Sequence, residues 1–477
     1  MNSHALGSLH SRLPTVEPDQ PTTSQSKAMR LVSRTCWLIV PAVTLFVIGA
    51  TFLDIRTYSG DDLRNRVVGA RVMLAGYDPY VFVWQPDMPE RWLDPVYDAK
   101  APRLTASPPT LLLYAIIAPF SFATQRLISF IFEWLALVTS VALLTRSLPD
   151  VRCRTVFLLG TVFSVIATDV WRLHIERGQM YVFVLLALSV AIAWSRRGQV
   201  DSIVAGIAFG VAALLQPNLL VIAPALVILR QWRSSGAMLA TLGAGVAATM
   251  LMLPMSSWRN YLDVGDQYFR AYQDPQSVPN RARPLYEGPV EGVQFCNSLR
   301  NIESSCFSRL YSELRNQFDW PTINLALTSK ALLMGLAALL LVLMWRRRGD
   351  ACCAFAPMVI LTLDTGFFLP QRWGYVDVLL LAPLALLLPA LLRADKINRL
   401  LLGVVLLGLL SGPLGQHIFG LYAATVLRSW VVMGGLTILS MRSCEAAHRV
   451  PPQDLPPPAR QFLAPAPAMI AASSDAC

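Results

Sequence analysis

Charge is scarce in this sequence. Only 15% of the 477 residues are Asp, Glu, Lys or Arg, while 54% are hydrophobic. Soluble domains carry about 25% charged residues, so a water-soluble core is excluded. The apolar residues gather in runs of about 15–22 with no polar stripe, the pattern of bilayer-spanning helices. Metal ligands are scarce as well. Three of the five histidines lie in the tails, and the eight cysteines form no CxxC pair. A zinc site of ordinary spacing is therefore not expected, and no metal or other cofactor is assigned. No Walker-type phosphate loop occurs, which argues against nucleotide-driven chemistry. The net charge of +10 comes without basic runs interleaved with aromatics, so nucleic acid is not an expected partner.

Arginine placement sets the topology. With residues 107–122 kept out of the count of crossings and the N-terminus inside, thirteen Arg and Lys fall in short inner loops. Only Arg172, Arg177 and Arg372 fall in short outer ones. This bias predicts an all-α polytopic protein of about twelve transmembrane helices, or thirteen if 107–122 crosses. Residues 1–35 form a cytoplasmic tail, 36–440 the membrane domain, and 441–477 a Pro- and Ala-rich disordered cytoplasmic tail. The run "CWLIVPAVTLFVIGATFL" lacks an A-x-A cleavage site and is read as an uncleaved first span. Two large outer loops follow, 54–106 and 256–322. Cys296 and Cys306 share the second. They either remain thiols or, in an oxidising compartment, close a loop worth about 3 kcal/mol.

Polar groups other than Arg and Lys collect on the outer side. They include Asp61 and Asp62, His174 with Glu176 and Gln179, and Gln216 with Asn218. Gln371 with Trp373 and Tyr375, and Gln416 with His417, complete the set. Asp61 and Asp62 precede "LRNRVVGARVMLAGYDPY", an amphipathic stretch. Its Val67, Val68, Val72 and Leu74 suit a membrane face, and Arg64, Arg66 and Arg71 a wet one. Asp62 stands where a helix N-cap belongs. Its other reading is a carboxylate held at the membrane surface as a general base. Arg177 and Arg372 suit phosphate oxygens, or else snorkel at span ends. Tyr80, Trp84, Trp92 and Trp373 suit either sugar stacking or an interfacial belt. Glu133, Asp364 and Arg428 fall inside apolar runs and call for internal pairing or a transport path.

In order and spacing, three stretches resemble glycosyltransferase family 87, which includes mycobacterial polyprenyl-phosphate-mannose-dependent mannosyltransferases. They are "DDLRNRVVGARVMLAGYDPY", "SPPTLLLYAIIAPF" and the block from "ERGQMYVF" to "VILRQWR". The chain departs from the family pattern at Arg66, where an aromatic is common, and at Gln216, where a lysine is common. "LPQRWGY" also lacks the family's histidine. The resemblance implies a C-type membrane glycosyltransferase fold in a bacterial inner membrane, with both termini cytoplasmic. The implied reaction transfers a sugar, mannose by resemblance, from a polyprenyl-phosphate donor to a glycolipid or polysaccharide acceptor at the extracytoplasmic face. Asp62 maps to the catalytic base, with Asp61 one register away. Substrate-binding candidates are Tyr80, His174, Arg177, Gln179, Gln216, Asn218, Asn297, Ser298, Gln371, Arg372 and Trp373. A transporter or flippase of a lipid-linked glycan is the alternative function.

Overall fold

The computed structural model describes residues 23–57, 60–93, 104–196, 202–273 and 374–393, with isolated helical positions between 331 and 345 and at 400, 403 and 435. Every regular element among the described residues is helical. α1 (Thr23–Thr57) contains an apolar stretch, Leu38–Arg56, and α4 (Phe122–Arg146) is predominantly apolar. These two are long and apolar enough to cross a membrane. Among the described residues, two bent helix pairs raise the number to four if each counts as one span. Leu38, Phe46, Phe132 and Leu135 lie on the outside of α1 and α4, each more than half exposed. Large apolar side chains in that position suit contact with acyl chains rather than water. The described residues are thus those of an all-helical membrane protein.

Local chemistry explains where these helices begin and end. Ser121 caps α4, accepting from the Thr124 backbone N–H. Asp150 caps α5 (Val151–Thr161), accepting from Cys153 N–H at 2.7 Å. α5 continues through a π-helical turn, Val162–Ile166, and bends by 55° into α6 (Asp169–Arg177). α7 (Tyr181–Arg196) and α8 (Ile203–Leu215) follow. Gln216-Pro217 ends α8, because proline supplies no N–H to continue the ladder. α9 (Ile222–Ile228), α10 (Trp232–Met250) and α11 (Met255–Gln273) complete the first block. A 3-10 turn, Gly374–Leu380, leads into α12 (Leu381–Arg393), whose side chains from Leu381 to Leu388 are all buried at the centre of the main core.

α8 and α10 run parallel and unusually close. A Cβ on Gly206 would strike the Ser234 carbonyl oxygen, and one on Gly210 would lie 2.6 Å from Thr241 Cβ. Further along, a Cβ on Gly245 would lie 2.6 Å from Leu214. Small residues four apart let two membrane helices approach backbone to backbone. The Ser234 hydroxyl donates to Ser202 O at 3.0 Å and ties the two helix starts together.

A second, smaller core gathers at the opposite end of α8 and α10. There α2 (Asp61–Leu74) lies against α3 (Pro108–Ala115), and the turn after α2 lies against α11; Leu63, Val67, Ala70, Met73, Tyr80 and Tyr114 are buried between them. Ser107 Oγ donates to Leu214 O and joins this layer to the end of α8. Asn260 on α11 donates to Asp78 at 2.8 Å, and Tyr261 packs on Tyr80. α3 has eight residues, about 12 Å of helix, well short of a bilayer. The carbonyls of the turn that follows it are satisfied by protein: Arg71 and Gln125 both donate to Ala118 O and Phe120 O.

The amphipathic reading of α2 needs correction. Val67, Val68 and Val72 are buried against protein, not turned to lipid, while Leu74 alone of that set is exposed. Trp84 and Trp92 pack around Val68, Val72 and Phe82 in a small satellite core. With that satellite in place, every residue of α2 except Leu74 is at least partly buried.

Candidate functional site

The loop "HIERGQ" brings the site together. Gly178 closes α6 in the left-handed region, at φ 67°, where glycine carries no steric penalty. The contact there is equally demanding. A Cβ on Gly178 would sit 2.6 Å from Leu63 Cβ, so only glycine lets the end of α6 rest on the first turn of α2. Gly60 begins α2 in the same region, at φ 63°, and packs against the Arg126 guanidinium. Arg126, buried on α4, donates to Ile175 O at 2.9 Å and Glu176 O at 3.0 Å. These bonds satisfy carbonyls that the end of α6 leaves open.

The result brings both Arg177 and Gln179 against Asp62. Arg177 Nη1 reaches Asp62 Oδ2 at 3.4 Å, and the Gln179 side-chain amide donates to the same oxygen. Asp62 and Arg177 are each about 30% exposed, reachable from outside yet partly desolvated. The other carboxylate oxygen, Oδ1, accepts no hydrogen bond among the described residues. Asp62 is not the N-cap of its helix. Gly60 holds that position and no side chain caps the turn; the carboxylate instead meets Arg177 at the end of α6 and Gln179 in the loop after it.

Arg66, one turn along α2, completes the cluster. Its Nη2 donates to Gln179 Oε1 at 2.8 Å, and its Nη1 to Gly178 O at 3.1 Å and Tyr114 OH at 3.4 Å. Burial disfavours the Arg66 charge, but Tyr114 and Asp62 more than offset that and hold the guanidinium above the ordinary arginine range. Tyr375 is buried within electrostatic reach of Asp62, Arg66 and Arg177, with its ring 5.7 Å from that of Tyr181. Five elements thus converge: α2, α3, the end of α6, the start of α7, and the turn before α12.

Of the residues expected from sequence, the structure brings Asp62, Arg177 and Gln179 into contact. Asp61 lies beside them, within the field of Arg177 and Arg126. His174 is fully buried behind the site. Its Nε2 accepts from Val182 N–H at 3.1 Å, so Nδ1 carries the proton toward Glu133 at 3.3 Å, and its ring stacks on Trp171. Ser129 gives Glu133 a second donor, which accounts for this carboxyl inside an apolar helix. Tyr80 is buried too, its hydroxyl donating to Ala106 O at 2.7 Å; burial pushes the phenol pKa upward. Gln216 and Asn218 sit at the break after α8, at the same end of the molecule as the site. Asn297, Ser298, Gln371, Arg372 and Trp373 lie outside the described residues, as do Cys296, Cys306, Asp364 and Arg428. Sequence reasoning assigned no site role to Arg66, Tyr114, Arg126, Tyr181 or Tyr375.

No curated protein matches the chain in sequence. Among solved structures, the chain is similar to ArnT from Cupriavidus metallidurans, crystallised with undecaprenyl phosphate. The identity is 14%, over 86% of this chain and 77% of that one, and the TM-score is 0.34, too loose to equate individual residues. Residues 105–287, which contain Tyr114, Arg177, Gln179 and Tyr181 but begin after Asp62 and Arg66, match the model of glycosyltransferase family 87.

Proposed function

We propose that this protein is a membrane glycosyltransferase that moves a sugar from a polyprenyl-phosphate donor to a hydroxyl acceptor at the extracytoplasmic face. The observation that carries the reading is the carboxylate of Asp62. One of its oxygens is fixed by Gln179 and Arg177, and the other accepts no hydrogen bond among the described residues. The family 87 match over 105–287 supports the same chemistry. Mannose is the sugar suggested by resemblance, and a glycolipid or polysaccharide the acceptor.

The reaction is a direct displacement. The acceptor oxygen attacks the anomeric carbon while the bond from that carbon to the phosphate oxygen breaks. Asp62 takes the acceptor proton on Oδ1, and the polyprenyl phosphate leaves with the bonding pair. Arg177 is suited to that leaving group. At 3.4 Å its contact with Asp62 is long for a charge-assisted bond, so exchanging it for a phosphate oxygen forfeits little. Both groups are partly shielded from water, which strengthens their action on a charge that develops during the reaction.

The test is transfer by the reconstituted full chain, given radiolabelled polyprenyl-phosphate mannose and an extract of its own envelope. Asp62→Asn is expected to lower turnover by about 10²–10⁴-fold, the usual contribution of a positioned base. Asp61→Asn is expected to retain most of it. Equal turnover by both variants refutes the assignment of the base. Passage of labelled lipid across the bilayer without new product refutes the transferase reading.

A further inference from the structure

We infer that Arg66 is a positioning residue for Asp62, acting through the side-chain amide of Gln179. The inference rests on the reading of Asp62 as the base, but its geometry stands alone. Asp62 and Arg66 are four residues apart and share one face of α2. No direct hydrogen bond or ion pair joins them among the described residues. Gln179, almost wholly buried, lies between them instead.

A guanidinium has donors only, so the Gln179 atom that meets Arg66 must be the amide oxygen. The amide nitrogen then has to face Asp62, and it donates to Oδ2. Rotating the amide by half a turn would set donors against donors at Arg66 and acceptor against acceptor at Asp62. Arg66 therefore fixes which end of Gln179 the carboxylate meets. Its Nη1 also holds the carbonyl of Gly178, the residue just before Gln179. One side chain thus grips both the backbone and the amide of the loop that aims the base. With Oδ2 held, Oδ1 is the oxygen left for the acceptor.

The experiment uses the full chain in lipid nanodiscs. Nitrogen-15 spectra observe the Gln179 side-chain amide, assigned by its loss in Gln179→Met. In the wild type this amide is expected to be protected from hydrogen exchange. In Arg66→Met the protection is expected to fall by about tenfold or more, with an intermediate value in Arg66→Lys, whose single ammonium cannot hold Gly178 and Gln179 together. In the transfer assay, Arg66→Met and Gln179→Met should each lower kcat by about 10–100-fold, with KM for the labelled donor nearly unchanged. Combined, they should cost little more than either alone. Arg66→Lys should restore part of kcat.

Unchanged Gln179 exchange in Arg66→Met overturns the proposal, as do losses that simply multiply in the double variant. If Arg66→Met does not fold, Arg66→Lys decides the matter by the same exchange measurement. Loss of Gln179 protection together with an active Asp62→Asn would leave the relay standing and refute the base.

Discussion

At the scale of single residues, Gly178 has the most exacting position. Alanine there would need a positive φ and would set its Cβ against Leu63 Cβ. The conformational strain alone is worth about 1–3 kcal/mol. Relieving it must move the end of α6 away from α2, and Arg177 and Gln179 move with it. Gly178→Ala is therefore expected to lower the melting temperature and also the turnover of the folded fraction; unaltered turnover in that fraction would contradict the account. Tyr80 gives the opposite expectation. Tyr80→Phe removes one buried hydrogen bond, worth about 1 kcal/mol, and should leave turnover intact. A large rise in donor KM in that variant would mean that Tyr80 meets the sugar. Asp62, Arg177 and Gln179 are legible in sequence because an acid after a first span and a Gly-Gln at a span start are local patterns. Arg66 is not legible. An arginine on an amphipathic helix is assigned to water, yet here its donors meet a loop more than a hundred residues away. His174 misleads in the other direction. A polar residue at a span end resembles a ligand, but this one is enclosed by Glu133, Val182 and Trp171.

At the scale of elements, two junctions hold the scaffold. His174 links α4, α6 and α7. His174→Phe keeps the ring stack on Trp171 but leaves Glu133 and the Val182 N–H each short of a partner. Each orphaned group costs about 1–3 kcal/mol, so a sharp fall in melting temperature is expected. A substrate contact would behave differently, raising KM without a change in stability. The α8–α10 junction depends on absent side chains. Gly206→Ala must push the backbones apart, because the atom in the way is a carbonyl oxygen rather than a mobile side chain. A loss of about 1–3 kcal/mol is expected, read by unfolding in detergent. The small residues of α8 are visible in the sequence, but their partner is not, since helix α9 intervenes and the contact is with the second helix along. The same holds for Tyr375, which reaches the site from far along the chain, where nothing local connects it to α2.

At the scale of the whole molecule, the contacts sort the chain into two ends. Ser107 bonded to Leu214, Asn260 bonded to Asp78, and Gly178 pressed on Leu63 put α2, α3, α11 and the ends of α6, α8 and α10 together. Ser202 bonded to Ser234 marks the other end, beside Arg230 and Arg233. α10 alone, with nineteen residues and about 28 Å, separates the two, close to the thickness of a hydrocarbon core of about 30 Å. The acids, Arg177 and Gln179 thus share one end, and the basic turn before α10 lies at the other, as the positive-inside bias requires if the site faces outward. Val81, half exposed beside the site layer, and Trp232, exposed at the start of α10, report on the two ends. In a cysteine-free background, Val81→Cys is expected to react with a membrane-impermeant maleimide added to intact spheroplasts. Trp232→Cys is expected to react only after the membrane is opened. The reverse pattern would place Asp62 in the cytoplasm, where nucleotide-sugar donors are available and a lipid-phosphate donor has no special claim.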